Sequence, residues 1–244
     1  MISQLAELET FLKNNPDTTH IDAFIIDLCG SAIGKRLPRS QAESLFTTGT
    51  PACAAMQLLD VLGNTADPMG HGFSDGDPDA FVKPIAGMLA PAPWNGPGYA
   101  QVLCELRGAG DGQPLWYDPR KILQGVVDRY TELDLRPVVA AELEFYLLQA
   151  ARSDSGAPVP AASPRSGATE TMGRVLSLDK LDEFRGVLSA IEASCAAQVI
   201  PTTTMISEYG AGQFEINLAH QDDPVRAADH AALLRRVVQA VART

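Results

Sequence analysis

Four glutamates, Glu142, Glu144, Glu208 and Glu215, are the residues whose type and spacing point to chemistry. The run Val138–Leu148, VVAAELEFYLL, alternates with period two. Glu142, Glu144 and Tyr146 therefore share one strand face, and Leu143, Phe145 and Leu147 the other. Carboxylates at i and i+2 of a strand lie roughly 7 Å apart at the backbone, and they repel each other unless a cation sits between them. Taken alone, the pair reads either as metal ligands or as an ordinary solvated face. A second stretch, Gln213–Leu218 (QFEINL), puts Gln213, Glu215 and Asn217 on a wholly polar face and Phe214, Ile216 and Leu218 on a wholly apolar one. Glu208 precedes Glu215 by an odd number of residues, which would place the two on opposite faces of one regular strand. Gly210-Ala211-Gly212 lies between them and can break that register. Two strands can then present all four carboxylates to one cleft. Oxygen donors with almost no His or Cys suit Mg²⁺ or Mn²⁺, ions that usually accompany a phosphate substrate; four unrelated surface acids are the plain alternative.

The elements that must position these acids are legible by pattern. Ile2–Lys13 reads as a short amphipathic helix and His20–Leu28 as a strand, followed by a turn at Cys29-Gly30. Gly34-Lys35-Arg36 lacks Walker spacing and reads as a basic turn. Arg39–Phe46 looks helical, and Ala54–Asp60 fits helix or strand. Gly63–Pro84 is loop-rich. Its Asp75, Asp77 and Asp79 resemble the start of a calcium loop, but Ala80 and Ile85 stand where an EF-hand needs Gly and Glu. Ile85–Ala90 and Ala100–Leu106 read as strands, and the Gly-rich turn after the second suggests a hairpin with Gln113–Tyr117. Asp118 and Pro119 suit the N-cap and first position of a helix whose apolar face is Ile122, Leu123, Val126, Val127 and Tyr130. The Ala150–Ala168 segment is too polar and broken to pack, a flap or a linker. Leu178–Gln198 reads as one amphipathic helix, Val199–Ser207 as extended chain. The last helix starts near Asp223 and points Leu233, Leu234, Val237, Val238 and Val241 inward.

Composition narrows the classes. The chain has 244 residues, 45% hydrophobic and 20% charged, which is ordinary for a globular protein. A formal net charge of -11 argues against nucleic acid or an anionic membrane as the main partner. No apolar run approaches a membrane span, and the N-terminus lacks a signal-peptide layout. Cys29, Cys53, Cys104 and Cys195 are scattered, as expected of buried free thiols in the cytoplasm.

With both acidic strands in hand, the sequence resembles the glutamine synthetase family, and within it the γ-glutamyl-polyamine or γ-glutamyl-amide synthetase branch. AELEFYL resembles the family's paired-glutamate strand. EYGAGQFEIN resembles its second acidic strand, and LWYDPRKIL the junction between its two domains. FIIDLCGSAIGKR, LLDVLGNT, GDPDAFVKPI, GRVLSLDKLDEF and NLAHQDDP add local matches. The resemblance implies an α+β chain, with a β-grasp N-terminal domain over residues 1–115 and an incomplete catalytic domain over 116–244. It implies ATP-dependent joining of glutamate to ammonia or an amine through an acyl phosphate, in a homo-oligomer with sites between subunits. Glu144, Glu208 and Glu215 match the ligands of the ion facing the amino-acid substrate. Glu142 matches a ligand of the ion that holds the nucleotide phosphates.

Asp60 and Asp79 correspond to N-terminal acids that receive the amine in a neighbouring subunit's site. His220 stands where relatives carry an aromatic residue near the nucleotide, so it either stacks on adenine or is a surface histidine. Thr203 replaces a nucleotide-contacting Glu of some members. The resemblance covers about the first half of the family's length. The expectation is therefore that these residues alone do not form amide, as part of a ligase or as a catalytically silent homologue. A further expectation is that the final helix, lacking strands to pack on, leaves core faces exposed.

Overall fold

The computed structural model describes residues 4–244 as a mixed α+β protein in two compact units that divide between Arg136 and Pro137. The division falls after the Asp118-capped helix, so that helix clusters with the first unit.

The first unit is built on one sheet. Helix α1 (Gln4–Asn14) precedes strands β1 (His20–Ile26) and β2 (Ala32–Pro38); α2 (Ala42–Thr47) then leads to β3 (Thr50–Cys53), β4 (Asp79–Pro91) and β5 (Tyr99–Gly108). Their order is β2-β1-β5-β4-β3, with β1 parallel to β5 and every other pair antiparallel. β1 is almost wholly apolar because it is central and buried along its length. Its one buried acid, Asp22, is held by Arg36 directly opposite on β2, at 2.7 and 2.9 Å. Gly34-Lys35-Arg36 is thus strand and not turn. A Cβ at Gly34 would stand 2.0 Å from the Ala23 carbonyl oxygen, so glycine here serves close strand approach. β4 carries a bulge between Pro84 and Leu89. The amides it frees at Gly87 and Leu89 donate to the Glu7 carboxylate on α1, at 2.9 and 3.3 Å. Ala54–Leu58 resolves the helix-or-strand ambiguity as a 3-10 helix. The expected Gln113–Tyr117 strand reduces to one bridge, Arg107 to Pro114; Pro114 has no N–H with which to extend a ladder. Helix α3 (Pro119–Glu132) begins as expected, the Asp118 carboxylate accepting the Arg120 N–H at 2.8 Å. Ile122, Val126 and Tyr130 on its apolar side are exposed.

In the second unit, β6 (Glu142–Tyr146), β7 (Thr202–Ser207) and β8 (Gln213–Leu218) form a sheet ordered β6-β8-β7, antiparallel throughout. Helices α4 (Leu178–Glu183), α5 (Arg185–Ala197) and α6 (Pro224–Val241) accompany it. The Leu178–Gln198 stretch is two helices because Phe184 leaves helical geometry (φ -102, ψ 14). Its ring drops into a core with Leu147, Leu188 and Phe214. Leu233, Leu234, Val237, Val238 and Val241 of α6 are all buried, so the helix does find a core within this chain. The 150–168 segment also packs. Gln149 and Ala161 amides bond to the Val159 and Leu147 carbonyls at 2.9 and 2.8 Å, Ala161 reaches the Phe184 core, and Ser163 is buried. Its backbone is satisfied by its own turns and by the end of β6, which local composition does not reveal. All four cysteines are free; Cys104 and Cys195 are buried as expected, but Cys29 and Cys53 are exposed. Among the described residues, no helix is long and apolar enough to cross a membrane.

Candidate functional site

The polar face of the second sheet gathers the acids. β8 is its centre, and pairing sets Glu144 opposite Glu215, Glu142 opposite Asn217, and Tyr146 opposite Gln213. On the other side Ile206 is opposite Glu215, and the Glu208 N–H donates to the Gln213 carbonyl at 3.0 Å. Directly opposed residues in an antiparallel pair point the same way. Glu208 therefore shares the face of Gln213 and Glu215. The odd spacing is reconciled by chain reversal through the Gly210–Gly212 bend, where Gly212 takes φ +73. The apolar face of β8, Phe214, Ile216 and Leu218, is buried.

Two of the polar side chains are fixed by hydrogen bonds. Gln213 Nε2 donates to Glu144 Oε2 at 2.6 Å, while its Oε1 accepts the Gly210 N–H at 2.8 Å. Asn217 Nδ2 donates to Thr204 Oγ1 at 3.0 Å, leaving Asn217 Oδ1 buried without a partner. Glu215 is the buried member of the acid set, 8% exposed. Burial pushes its carboxyl above the ordinary range. The nearby Asn217 amide offsets part of this, and the neighbouring carboxyls of Glu142 and Glu208 raise it again. Among the described residues none of the four glutamates pairs with Lys, Arg or His. Nor, among the described residues, do any three His, Cys, Asp or Glu side chains form a group that could hold a metal ion as they stand. The donor chemistry nevertheless fits a hard divalent ion: oxygen only, one carboxylate buried, and mutual repulsion that a cation would relieve.

Beside this face lies a cavity of about 630 Å³ whose lining includes Glu142, Thr203, Asn217, His220 and the run Val138–Ala140. Glu142, which the resemblance assigns to the nucleotide-side ion, thus borders one space with His220, and with Thr203, which stands where some family members carry a nucleotide-contacting Glu. Asp60 and Asp79 belong to the first unit. Asp60 organises its own loop, accepting the Leu62 and Asn64 N–H groups at 2.8 Å and the Asn64 amide at 3.2 Å. These bonds, Asn64's foremost, hold it below the usual carboxylate range. Asp79 is exposed at the start of β4, paired across to Cys53.

The sequence reading missed two residues behind the bend. Lys180 is fully buried, its Nζ 3.1 Å from Glu170 Oε2 and 3.2 Å from the Gly210 carbonyl oxygen. The signal was present. Lys180 falls in register with Phe184, Leu188 and Ile191, a cation within an apolar stripe.

An α+β chain that carries paired acidic strands around a Gly-rich bend is of the glutamine synthetase class. Residues 116–244 match the family described as "Glutamine synthetase, catalytic domain", and the chain belongs to that family. Gamma-glutamylputrescine synthetase PuuA of Escherichia coli (strain K12) is 35% identical over 236 residues, covering 97% of this chain and 50% of that protein. Glutamate–isopropylamine ligase of a Pseudomonas species is 28% identical over 243 residues, covering 98% of this chain and 51% of that protein. The solved structure of a GmaS/ADP complex superposes with a TM-score of 0.75 at 21% identity, over 97% of this chain and 49% of that one, a likeness of fold. The chain thus spans about half the length of these relatives.

Proposed function

We propose that this protein works as, or within, an ATP-dependent ligase that joins glutamate to an amine through its γ-carboxylate. The carrying observation is the β6–β8–β7 face: four carboxylates without a cationic partner, beside a cavity of about 630 Å³ that Glu142 shares with Thr203 and His220. In this reading Glu144, Glu208 and Glu215 hold one Mg²⁺ or Mn²⁺ and Glu142 contributes to a second. Bound there, the ions would neutralise charge on the transferring phosphoryl group. His220 lies against the nucleotide. The γ-carboxylate oxygen attacks the γ-phosphorus of ATP as the bond to ADP breaks. The amine nitrogen then attacks the acyl carbon and phosphate leaves. Asp60 and Asp79 favour a cationic amine and take up its proton.

The names of the two similar amine ligases support an amine in preference to ammonia alone as acceptor, and the ADP in the similar structure supports the nucleotide. The first unit, whose β1 and β5 lie side by side and parallel at the centre of a five-stranded sheet, we take as a β-grasp domain. A cytoplasmic homo-oligomer with sites between subunits completes the reading.

The test is a titration of the 244-residue chain with Mn²⁺ and with a fluorescent ADP. Both should bind, Glu215→Gln should abolish Mn²⁺ uptake, and His220→Ala should weaken ADP. Mass spectrometry for γ-glutamyl amides of putrescine and isopropylamine, with glutamate and ATP present, checks the chemistry. No Mn²⁺ uptake by the parent would sink the reading of the acids; uptake without amide is the result expected of these residues alone, and amide formation by them would overturn that expectation.

A further inference from the structure

We propose that Lys180 and Glu170 are positioning residues that clamp the Gly210–Gly212 bend, holding Glu208 and Gln213 in register for cation capture; this rests on the metal reading above. Lys180 has no exposed surface, and its ammonium lies 4.9 Å over the Phe214 ring, on the reverse side of the strand that carries Glu215. It spends one hydrogen bond on the Gly210 carbonyl at 3.2 Å. Glu170, with its side chain 8% exposed, accepts the Gly212 N–H at 3.0 Å through the same oxygen, Oε2, that meets Lys180. Its other oxygen meets Arg174 at 3.2 Å, and Arg174 reaches on to Glu183 at 3.0 Å. One ion pair therefore grips both ends of a three-residue bend, a carbonyl at the first glycine and an amide at the second.

The grip continues to the acids. The Gly210 N–H, at the entry to the bend, donates to Gln213 Oε1, and Gln213 Nε2 donates to Glu144. The Gly210 carbonyl also accepts the Gln213 N–H at 3.1 Å, and Gln213 accepts from the Glu208 amide at 3.0 Å. Packing enforces the same placement. A Cβ at Gly173 would stand 1.7 Å from the Tyr209 carbonyl oxygen, so the segment between Glu170 and Arg174 lies directly on the bend. A buried charge pair adds little net stability over apolar side chains of similar volume. Fixing the geometry of ligand-bearing groups is a role for which such a pair is suited, because outer groups that orient ligands govern metal affinity.

The experiment uses the full chain with Lys180→Met, and with Glu170→Gln/Lys180→Met, which removes both charges and is the fallback if the single variant does not fold. Two quantities are read: Mn²⁺ affinity from the free-ion electron paramagnetic resonance signal, and amide hydrogen exchange at Gly210 and Gly212. The expectation is Mn²⁺ binding weaker by about tenfold or more and faster exchange at both glycines, with Ile21–Ile25 in β1 unchanged. The double variant should regain thermal stability without regaining affinity, which a merely structural role would not produce. Parent-like Mn²⁺ affinity in a folded variant overturns the proposal, even with faster exchange. If the parent takes up no Mn²⁺, the reading of the acids fails on its own account. Exchange then decides the clamp: parent-like rates overturn it, and faster rates uphold the grip on the bend.

Discussion

Glu170 and Glu215 both hold carboxylates largely out of water, and they shift in opposite directions. The Glu170 side chain and the Glu215 residue are each 8% exposed, so dehydration acts against both charges. At Glu170 burial is outweighed by the Gly212 N–H, Lys180 and Arg174, and the carboxyl ends below its ordinary range. At Glu215 burial is only partly offset by Asn217, and the nearby charges are Glu142 and Glu208, so the carboxyl ends above it. The difference is in the partners. One acid is complete within the chain; the other is in an environment that asks for a cation from outside. The first builds structure, and the second holds energy that a ligand can release.

The strongest way to break this contrast is to strip Glu170 of its cation. Lys180→Met should cost about 3–5 kcal/mol, the range for leaving half of a buried pair uncompensated, measured by urea unfolding. Removing both charges should recover most of that. The pH dependence has a definite sign. Glu170's folded pKa is depressed, so its contribution is complete above the unfolded carboxylate pKa and lost as pH falls through the folded one. Lys180→Met should flatten that acid limb.

Next in size is the effect of supplying Glu215's missing partner. Mn²⁺ at a hundred times its dissociation constant should stabilise the chain by about 2.7 kcal/mol, seen as a rise in the thermal midpoint. The gain should vanish in Glu215→Gln. In the absence of metal the same substitution should raise stability at neutral pH by about 1 kcal/mol. Glu215's folded pKa is raised, so any stability tied to it is present below the unfolded pKa and lost as pH rises through the folded one. The Gln variant should lose that dependence, and a Gln variant less stable than the parent would contradict the contrast.

The strand faces were legible because period two survives in short segments: Glu142 with Glu144, and Gln213 with Glu215 and Asn217, fall where alternation puts them. Caps at Asp118 and Asp223 were equally plain, since side chain and following proline announce them locally. What was hidden depends on distant partners. Gly34 looks like a turn until the Ala23 carbonyl is seen against it. The 150–168 segment looks unpackable until its amides meet Leu147 and Val159. Glu208's face follows from a reversal of the chain, and strand periodicity stops at such a reversal. The Lys180–Glu170 pair joins residues ten apart in sequence across a bend at Gly210–Gly212, so no local pattern foretells the partner.

A third buried carboxylate sharpens the comparison at the smallest scale. Asp118 is 5% exposed, and burial raises its carboxyl, partly offset by the amides of Arg120, Lys121 and Leu106. Its partner is the first turn of α3, a dipole and a set of N–H groups rather than a full cation. A neutral acceptor can serve there. Asp118→Asn should stay within about 0.5 kcal/mol of the parent, while Asp118→Ala, which removes the acceptor, should cost about 1 kcal/mol, both read from thermal or urea unfolding. Neutralising a carboxylate largely out of water would then have three different outcomes: neutral where amides are the partner, stabilising where other acids crowd it, and destabilising at Glu170→Gln, where a buried lysine would be left uncompensated. If all three variants shifted stability alike, burial alone would govern these acids, and the case for Glu215 as a site for an external cation would lose its electrostatic support.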